Sequence, residues 1–165
     1  MQEIALCGAL GLSALVDDED FEELSAFKWR PQPSKRKSEQ YRAVRSGKGG
    51  RGVILMHRQI MRAPDGVLVD HANGNPLDNR RANLRFCTFA QNAQNRRRVV
   101  PGSSSRFKGV TWHKQRGRWQ AAIKVDKRFI FLGLFTDEQE AADAYDRAAV
   151  KHHGEFACTN KELAA

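Results

Sequence analysis

The stretch VDHANGNPLDNRRANLRFCTFAQN, residues 69–92, places one histidine and five asparagines between two short apolar runs. The first run is typical of a strand that ends in two polar residues, Asp70 and His71. Segments rich in Asn and Gly fold back through side-chain hydrogen bonds and left-handed backbone, so the middle of the stretch predicts a compact loop. LRFC predicts a second strand, and the TFAQ spacing from Thr88 predicts the cap of a helix that carries Asn92.

This order of elements predicts that Asp70, His71 and Asn92 come within reach of one another. Carboxylate and amide oxygens suit a hard cation such as Mg²⁺, which keeps most of its waters and takes one or two protein ligands beside a substrate phosphate. A neighbouring imidazole can then take a proton from water. Phosphodiester hydrolysis needs this pair, a base for the nucleophile and a Lewis acid for the charge that develops on phosphate.

The residues VDHANGNPLDNRRANLRFCTFAQNAQN resemble the catalytic motif of the HNH homing endonucleases, which are ββα-metal nucleases, in the subclass whose last metal ligand is Asn. The upstream stretches ALVDDEDFEEL and LMHRQIM are also similar to that family. The resemblance implies that His71 is the general base and that Asp70 and Asn92 bind Mg²⁺ or Mn²⁺. It further implies that Asn83 completes the catalytic set by tying the loop to the base-bearing strand with hydrogen bonds.

The other side chains of the motif have structural or open roles. The residues predicted to form turns are Asn73, Asn75 and Asn79. The residues predicted to lie in the core are Leu84, Phe86 and Phe89. Asn95 either faces the scissile phosphate or solvates its helix. His57, in LMHRQIM, either contacts DNA, braces the active site or is a half-buried, hydrogen-bonded histidine.

A second pattern begins near residue 106, where three strand candidates, FKGVTWH, RWQAAIKV and RFIFLGLF, precede a helix. In RWQAAIKV apolar and polar residues alternate, so one face can pack on the helix and the other can meet solvent or a polyanion. A capping box of Thr136 and Gln139, an alanine-rich face and Gly154 at the end define the helix. The region therefore predicts three antiparallel strands packed on one helix.

Residues 106–160 resemble the ethylene-response-factor (APETALA-two-like) DNA-binding domain nearly end to end. That family lays its three-stranded sheet in the DNA major groove. The DNA contacts predicted in this region are Lys108, Thr111, His113, Arg118, Gln120, Lys124 and Arg128, the last as a phosphate contact. Arg96 and Arg97, after the helix of the first motif, complete the predicted DNA-binding set. Behind an HNH motif, such a domain looks like the mobile-element homing endonucleases of phages and bacteria.

The charge distribution agrees with a polyanionic partner. The chain carries a formal charge of +9, and residues 28–62 hold eleven basic side chains with Glu39 as their one acid. Lys and Arg gain affinity for nucleic acid by releasing counterions from phosphates. The part of this stretch around SKRKSEQ is equally well explained as a solvated basic loop.

The sequence predicts an α+β protein made of a ββα-metal HNH nuclease domain, residues 1–98, a VVPGSSS linker, residues 99–105, and a DNA-binding domain, residues 106–165. The three cysteines are far apart and form no CxxC pair, which indicates a reducing compartment. No membrane span and no signal peptide are expected, and the predicted location is the cytoplasm of a bacterial or phage-infected cell.

The predicted function is that of a site-specific DNA endonuclease of the homing type, with double-stranded DNA as partner and a monomer or weak dimer as the acting species. The alternative is a non-catalytic, sequence-specific DNA-binding regulator. A third interpretation, an RNA-binding module, requires exposed aromatic side chains on the sheet. We expect basic and small residues on that face instead.

Overall fold

The computed structural model describes residues 1–34, 37–96 and 102–164, with the backbone alone for residues 37–39. The chain contains helices and antiparallel strands, as expected for an α+β protein. It divides into two compact units, Met1–Phe89 and Ala90–Ala165. Residues 97–101, which include the first three residues of the predicted linker, lie outside the described residues.

The first unit is built from three small antiparallel sheets and two short helices. Its strands are β1 (Gln2–Ala5), β2 (Ser13–Val16), β3 (Arg30–Ser34), β4 (Lys37–Ser46), β5 (Val53–Leu55), β6 (Leu68–His71) and β7 (Leu84–Cys87). Its helices are α1 (Asp18–Ser25), α2 (Met56–Ile60) and the 3-10 turns Lys48–Gly50 and Arg81–Asn83. The pairings are β1 with β2, β3 with β4 with β5, and β6 with β7. The two predicted motif strands are therefore present as β6 and β7.

The core of the first unit forms around Trp29, whose indole Nε1 donates a hydrogen bond to the Leu24 carbonyl at 2.8 Å. Alternate residues of β2 face this core, because side chains of a strand point to opposite faces in turn. The buried members of the cluster are Ile4, Leu6, Ala14, Val16, Leu24, Trp29, Ala43, Met56, Ile60, Val69 and Leu84. Val69 and Leu84 belong to the paired strands β6 and β7, so this core holds the motif hairpin in place.

Two residues expected in the core lie at the surface instead. Phe86 is 46% exposed and Phe89 is 80% exposed, whereas Leu84 is buried as predicted. Phe86 stands opposite Val69 in the β6–β7 pair, near the end of a hairpin only four residues long on each side. Phe89 begins helix α3 (Phe89–Gln94), at the end of the first unit. Hydrophobic type alone therefore gave the wrong burial for both side chains.

The acidic residues of α1 have a tertiary role in addition to the helix-dipole role that their position suggests. The Arg81 guanidinium donates to both carboxylate oxygens of Asp20, at 2.8 and 2.6 Å, and the Arg81 amide donates to Asp17 at 2.7 Å. Bidentate charge-assisted pairs of this kind are among the stronger polar contacts in proteins. The pair ties α1 to the 3-10 turn that leads into β7.

The second unit is a three-stranded antiparallel sheet with helices. Its strands are β8 (Val110–His113), β9 (Arg118–Val125) and β10 (Arg128–Phe135), in the order β10-β9-β8. Its helices are α4 (Glu138–His153), α5 (Asn160–Ala164) and the 3-10 turn Gly154–Phe156. Ala121 and Ile123 of β9 pack on the buried face of α4, which contains Ala141, Tyr145 and Ala149. The predicted three-stranded antiparallel sheet is confirmed.

The cap of α4 lies one residue later than predicted. Asp137 is the N-cap, and its Oδ1 accepts a hydrogen bond from the Glu140 amide at 2.9 Å. Asp137 and Glu140 have the same spacing as Thr136 and Gln139, so the sequence contained two overlapping capping boxes. Gly154 ends the helix with φ 54°, as expected for a glycine C-cap.

Within the described parts of the chain, none of the helices has the length and hydropathy that a membrane span requires.

Candidate functional site

The motif hairpin presents Asp70 and His71 at the end of β6, where both side chains are buried. Asp70 stands opposite Arg85 of β7, and the Arg85 Nη2 lies 3.0 Å from the Asp70 Oδ2. Residues directly opposite in an antiparallel pair share a face, so this contact follows from the register. Arg85 was not among the predicted site residues. Its signal in the sequence is the pairing of VDH with LRF once the strands are aligned.

Asn83 makes hydrogen bonds to the loop between β6 and β7 with both its side chain and its backbone. Its Oδ1 accepts the Asn73 amide at 2.9 Å, and its Nδ2 donates to the Asp78 carbonyl at 2.7 Å. Its backbone carbonyl accepts the Ala72 amide at 2.9 Å. Asn83 is buried, so these hydrogen bonds replace water for groups that would otherwise be unsatisfied.

The remaining loop asparagines fall into two groups. Asn73 and Asn75 each accept a hydrogen bond from the amide two residues later, which is the predicted turn-forming role. Asn79 is fully buried, and its Oδ1 lies 3.4 Å from the Nε2 of His71. Its own Nδ2 donates to the Leu77 carbonyl at 3.2 Å, which leaves the oxygen facing the imidazole. Asn79 therefore belongs to the surroundings of His71 as well as to the turn.

The hydrogen bond from His71 to Asn79 specifies the tautomer of the imidazole. Because an amide oxygen only accepts, a neutral His71 ring that donates to Asn79 carries its proton on Nε2, and Nδ1 is then the basic nitrogen. Burial lowers the pKa of His71, although the Asn79 contact and the Asp70 charge act in the opposite direction. The neutral ring is therefore favoured at neutral pH. A neutral ring with one basic nitrogen is the state that a general base needs.

His57, the first histidine of LMHRQIM, packs against His71. The two ring centroids are 4.9 Å apart and the planes meet at 82°, an edge-to-face arrangement. His57 is buried in α2, and burial, followed by the neighbouring His71, lowers its pKa to about 3. Of the roles considered for His57, the structure supports bracing of His71 by a buried neutral ring.

The predicted metal ligands are oxygen donors, Asp70 from the first unit and Asn92 on the half-buried side of α3. A carboxylate and an amide oxygen fit the chemistry of Mg²⁺ or Mn²⁺, with water and phosphate completing the shell. Among the described residues, no group of three His, Cys, Asp or Glu side chains forms a metal cage. A cation at Asp70 would share this carboxylate with Arg85. Asn95, considered as a helix-solvating residue, is instead buried.

We predict that Asn83→Ala destabilises the motif loop by about 2–4 kcal/mol, because it leaves the part-buried Asn73 amide and the buried Asp78 carbonyl without these partners. Thermal unfolding of the full chain measures this loss. Asn75→Ala is the matched control, because it removes an exposed hydrogen bond from the Leu77 amide to the Asn75 side chain. We expect its stability to change by less than about 1 kcal/mol. Equal stability of the two variants would show that Asn83 does not hold the loop.

The sheet of the second unit displays most of the predicted DNA contacts on one face. The register pairs Thr111 with Gln120, and His113 with Arg118, so these four side chains point to the same side. Lys124 lies further along the same face of β9 and is exposed. This face is opposite the one that packs on α4.

The other four predicted contacts either lie off this face or fall outside the described residues. Arg128 stands opposite Val125, so it leaves the sheet on the other face. The ammonium of Lys108 donates to the carbonyls of Gln94 and Cys158, at 2.7 and 3.4 Å, and burial lowers its pKa. The structure thus gives Lys108 a structural position. Arg96 is exposed, and Arg97 lies outside the described residues.

The same face carries two aromatic side chains that we did not expect there. Phe129 stands opposite Lys124 and is 75% exposed, and Phe131 stands opposite Ala122 and is 60% exposed. The Lys124 ammonium lies 5.5 Å from the centre of the Phe129 ring, a cation–π contact. The expectation of basic and small residues alone was therefore wrong. It rested on the middle strand, whereas the aromatic residues come from β10.

Comparison with known proteins gives a separate result for each part of the chain. Residues 62–94 match the family HNH_3, HNH endonuclease. Among curated proteins, APETALA2-like protein 2 of Oryza sativa subsp. indica is 53% identical over 64 residues, which are 38% of this chain and 14% of that protein. AP2-like ethylene-responsive transcription factor PLT2 of Arabidopsis thaliana is 48% identical over 62 residues, 36% of this chain and 11% of that protein. Both resemblances predicted from the sequence are confirmed, although the chain spans a small share of these relatives.

Proposed function

We propose that this protein is a site-specific DNA endonuclease of the homing type, in which the HNH motif cuts and the C-terminal sheet recognises the site. The observation that carries the proposal is the buried, neutral His71 beside Asp70 at the end of β6, inside the segment that matches the HNH endonuclease family. We keep residues 1–98, 99–105 and 106–165 as its nuclease domain, linker and DNA-binding domain.

In the proposed reaction, His71 takes a proton from the attacking water through Nδ1, while Asn79 holds the proton on Nε2. The new bond forms between the water oxygen and phosphorus, and the bond to the 3′ oxygen breaks. Asn83 keeps the loop closed so that the imidazole stays in one orientation. When bound by Asp70 and Asn92, Mg²⁺ or Mn²⁺ would supply Lewis-acid stabilisation of the leaving oxygen.

Site recognition is assigned to the exposed face of the sheet. Three exposed side chains of this face, Thr111, Arg118 and Lys124, can donate to phosphates or base edges. The similarity to proteins named as ethylene-responsive transcription factors supports double-stranded DNA as the partner. The chain would act as a monomer or weak dimer.

The alternative function is that of a DNA-binding regulator without turnover. The relatives named as transcription factors favour it, because they match over about a third of this chain. The presence of Asp70, His71 and Asn92 in the matched HNH segment favours the endonuclease. Binding experiments do not separate the two functions, whereas a cleavage assay does.

The test of the endonuclease is cleavage of supercoiled plasmid that contains binding sites selected from a random DNA library. We expect nicked or linear product with Mg²⁺ and none with EDTA, together with retarded complexes of the same sites in a gel shift. Retarded complexes without any product in Mg²⁺ or Mn²⁺ would favour the regulator and overturn the proposal.

We predict that the double substitution Phe129→Ala and Phe131→Ala weakens binding to selected duplex DNA about tenfold, because exposed rings contact thymine methyl groups or bases. A gel shift with duplex, single-stranded DNA and RNA competitors measures this loss. Val150→Ala, at a 60% exposed apolar residue of α4, is the control and should bind like wild type. A double variant with unchanged affinity would place the aromatic residues outside the interface. Stronger competition by RNA than by duplex would favour the RNA-binding interpretation.

A further inference from the structure

Arg42, on β4, differs from Arg85 and Arg58 near the motif in the contacts of its guanidinium. Arg85 pairs with Asp70, and Arg58 donates to backbone carbonyls. The Nε of Arg42 is buried without a hydrogen-bond partner, and no carboxylate among the described residues forms an ion pair with its guanidinium. The side chain as a whole is only half-buried, so one side of it can be reached from solvent.

The register of the β3-β4-β5 sheet places Arg42 beside the start of α2. Val44 of β4 stands opposite Leu55 of β5, and α2 begins at the following residue, Met56. Two residues back along the antiparallel β4, Arg42 therefore lies beside the first turn of α2, which contains His57. After the larger effect of burial, the charge of Arg42 lowers the pKa of both His57 and His71. The ring of His57 in turn lies 4.9 Å from the ring of His71, so Arg42 approaches His71 by way of His57.

The charge of Arg42 is not compensated by these neighbours. An imidazole supplies no negative charge, and the ring of His71 contacts the Asn79 side-chain oxygen. A guanidinium that is partly withdrawn from water gains most from an anion, because charge-assisted pairs offset the desolvation cost. The planar fork of N–H groups matches the oxygens of a phosphate.

We propose that Arg42 binds the phosphate group that the nuclease attacks and holds it beside His71. The proposal rests on the proposed function and adds to it a residue that contacts the substrate. Arg42 would pair with the non-bridging oxygens, whose charge increases as the water oxygen approaches phosphorus. The exposed basic side chains of the DNA-binding set are expected to affect DNA affinity. Arg42 is expected to affect the rate of cleavage more than the affinity.

The first test needs no cleavage and uses inorganic phosphate as the probe with the metal-free full chain. We expect the imidazole NMR signals of His57 and His71 in wild type to shift with millimolar affinity for phosphate. Arg42→Ala should abolish the shift, and Arg42→Lys should retain part of it. Arg30→Ala removes an exposed charge from the neighbouring strand and is the control, which should behave like wild type. Identical titrations for wild type and Arg42→Ala, or no shift in wild type, would overturn the proposal.

The second test measures cleavage of a selected site under single-turnover conditions. We expect Arg42→Ala to lower the rate about 100-fold while the dissociation constant for DNA changes less than about threefold. Unchanged melting temperatures of Arg42→Ala and Arg42→Lys exclude a folding defect. Full-rate cleavage by Arg42→Ala would overturn the role of Arg42 but leave the nuclease intact. An Arg42-dependent phosphate shift in a chain that cuts no DNA would support the anion site and reject the nuclease.

Discussion

Replacing His71 with alanine is expected to abolish DNA cleavage and to leave DNA binding within about a factor of three. A general base contributes about 10² to 10⁴ in rate, and the buried imidazole of His71 beside Asp70 is the proposed base. The base does not bind the recognition sequence, so affinity should persist. The measurement is a single-turnover cleavage rate beside a gel shift on the same selected DNA, in Mg²⁺.

The matched control for this prediction is His152→Ala. His152 is an exposed histidine at the end of α4, outside both proposed sites, and its loss should change neither rate nor affinity. Because His71 packs edge-to-face on His57, unfolding of His71→Ala should be followed as well. Wild-type cleavage by a folded His71→Ala protein would show that another group activates the water.

The local part of the candidate site could be predicted from the sequence because its signals lie within a few residues of one another. The two strands, the turn-forming asparagines and the tie made by Asn83 follow from strand and turn preferences and from the HNH resemblance. The match of residues 62–94 to the HNH endonuclease family agrees with the resemblance predicted from the sequence. Short-range hydrogen bonds of this kind depend on residue type and spacing alone.

The parts that could not be predicted depend on contacts across the sheet or between distant segments. Arg85 reaches Asp70 through cross-strand register, and Arg81 reaches Asp20 over 61 residues of sequence. Asn79 looked like the other loop asparagines, yet the loop turns its oxygen to His71. The periodicity of hydrophobic residues specifies neither the register between two strands nor the path of a loop. These contacts are therefore visible only in the folded structure.

The burial of several aromatic residues was also predicted incorrectly from the sequence. Phe86 and Phe89 were expected in the core, and Phe129 and Phe131 were not expected on the recognition face. In each case the strand or helix type was right, and the error concerned which side faced solvent. A side of a short element is fixed by the partner that covers it, and exposed aromatic residues are common where a partner molecule supplies that cover.

Gly109→Ala is expected to destabilise the second unit by about 2–5 kcal/mol, the sum of about 1–2 kcal/mol for left-handed backbone and about 1–3 kcal/mol for overpacking. Gly109 has φ +76°, and an added Cβ would lie 1.9 Å from the Cδ2 of Tyr145. That ring is buried between β9 and α4, so it has no empty space to move into. The Gly109 carbonyl also accepts the Ala122 amide at 2.9 Å, which couples this turn to the middle strand.

Gly117→Ala separates the two causes, because Gly117 also has positive φ, +57°, but an added Cβ there would meet nothing within 4 Å. It should therefore show the backbone cost of about 1–2 kcal/mol alone. Calorimetry of the full chain measures the unfolding of both variants. In a gel shift at increasing temperature, Gly109→Ala should lose duplex binding at a lower temperature than Gly117→Ala. Since the recognition face exists only while β9 packs on α4, loss of this packing should remove site recognition. Equal destabilisation by the two substitutions would mean that the Tyr145 ring can move away from the added Cβ without loss of stability, and that packing against this ring does not restrict residue 109.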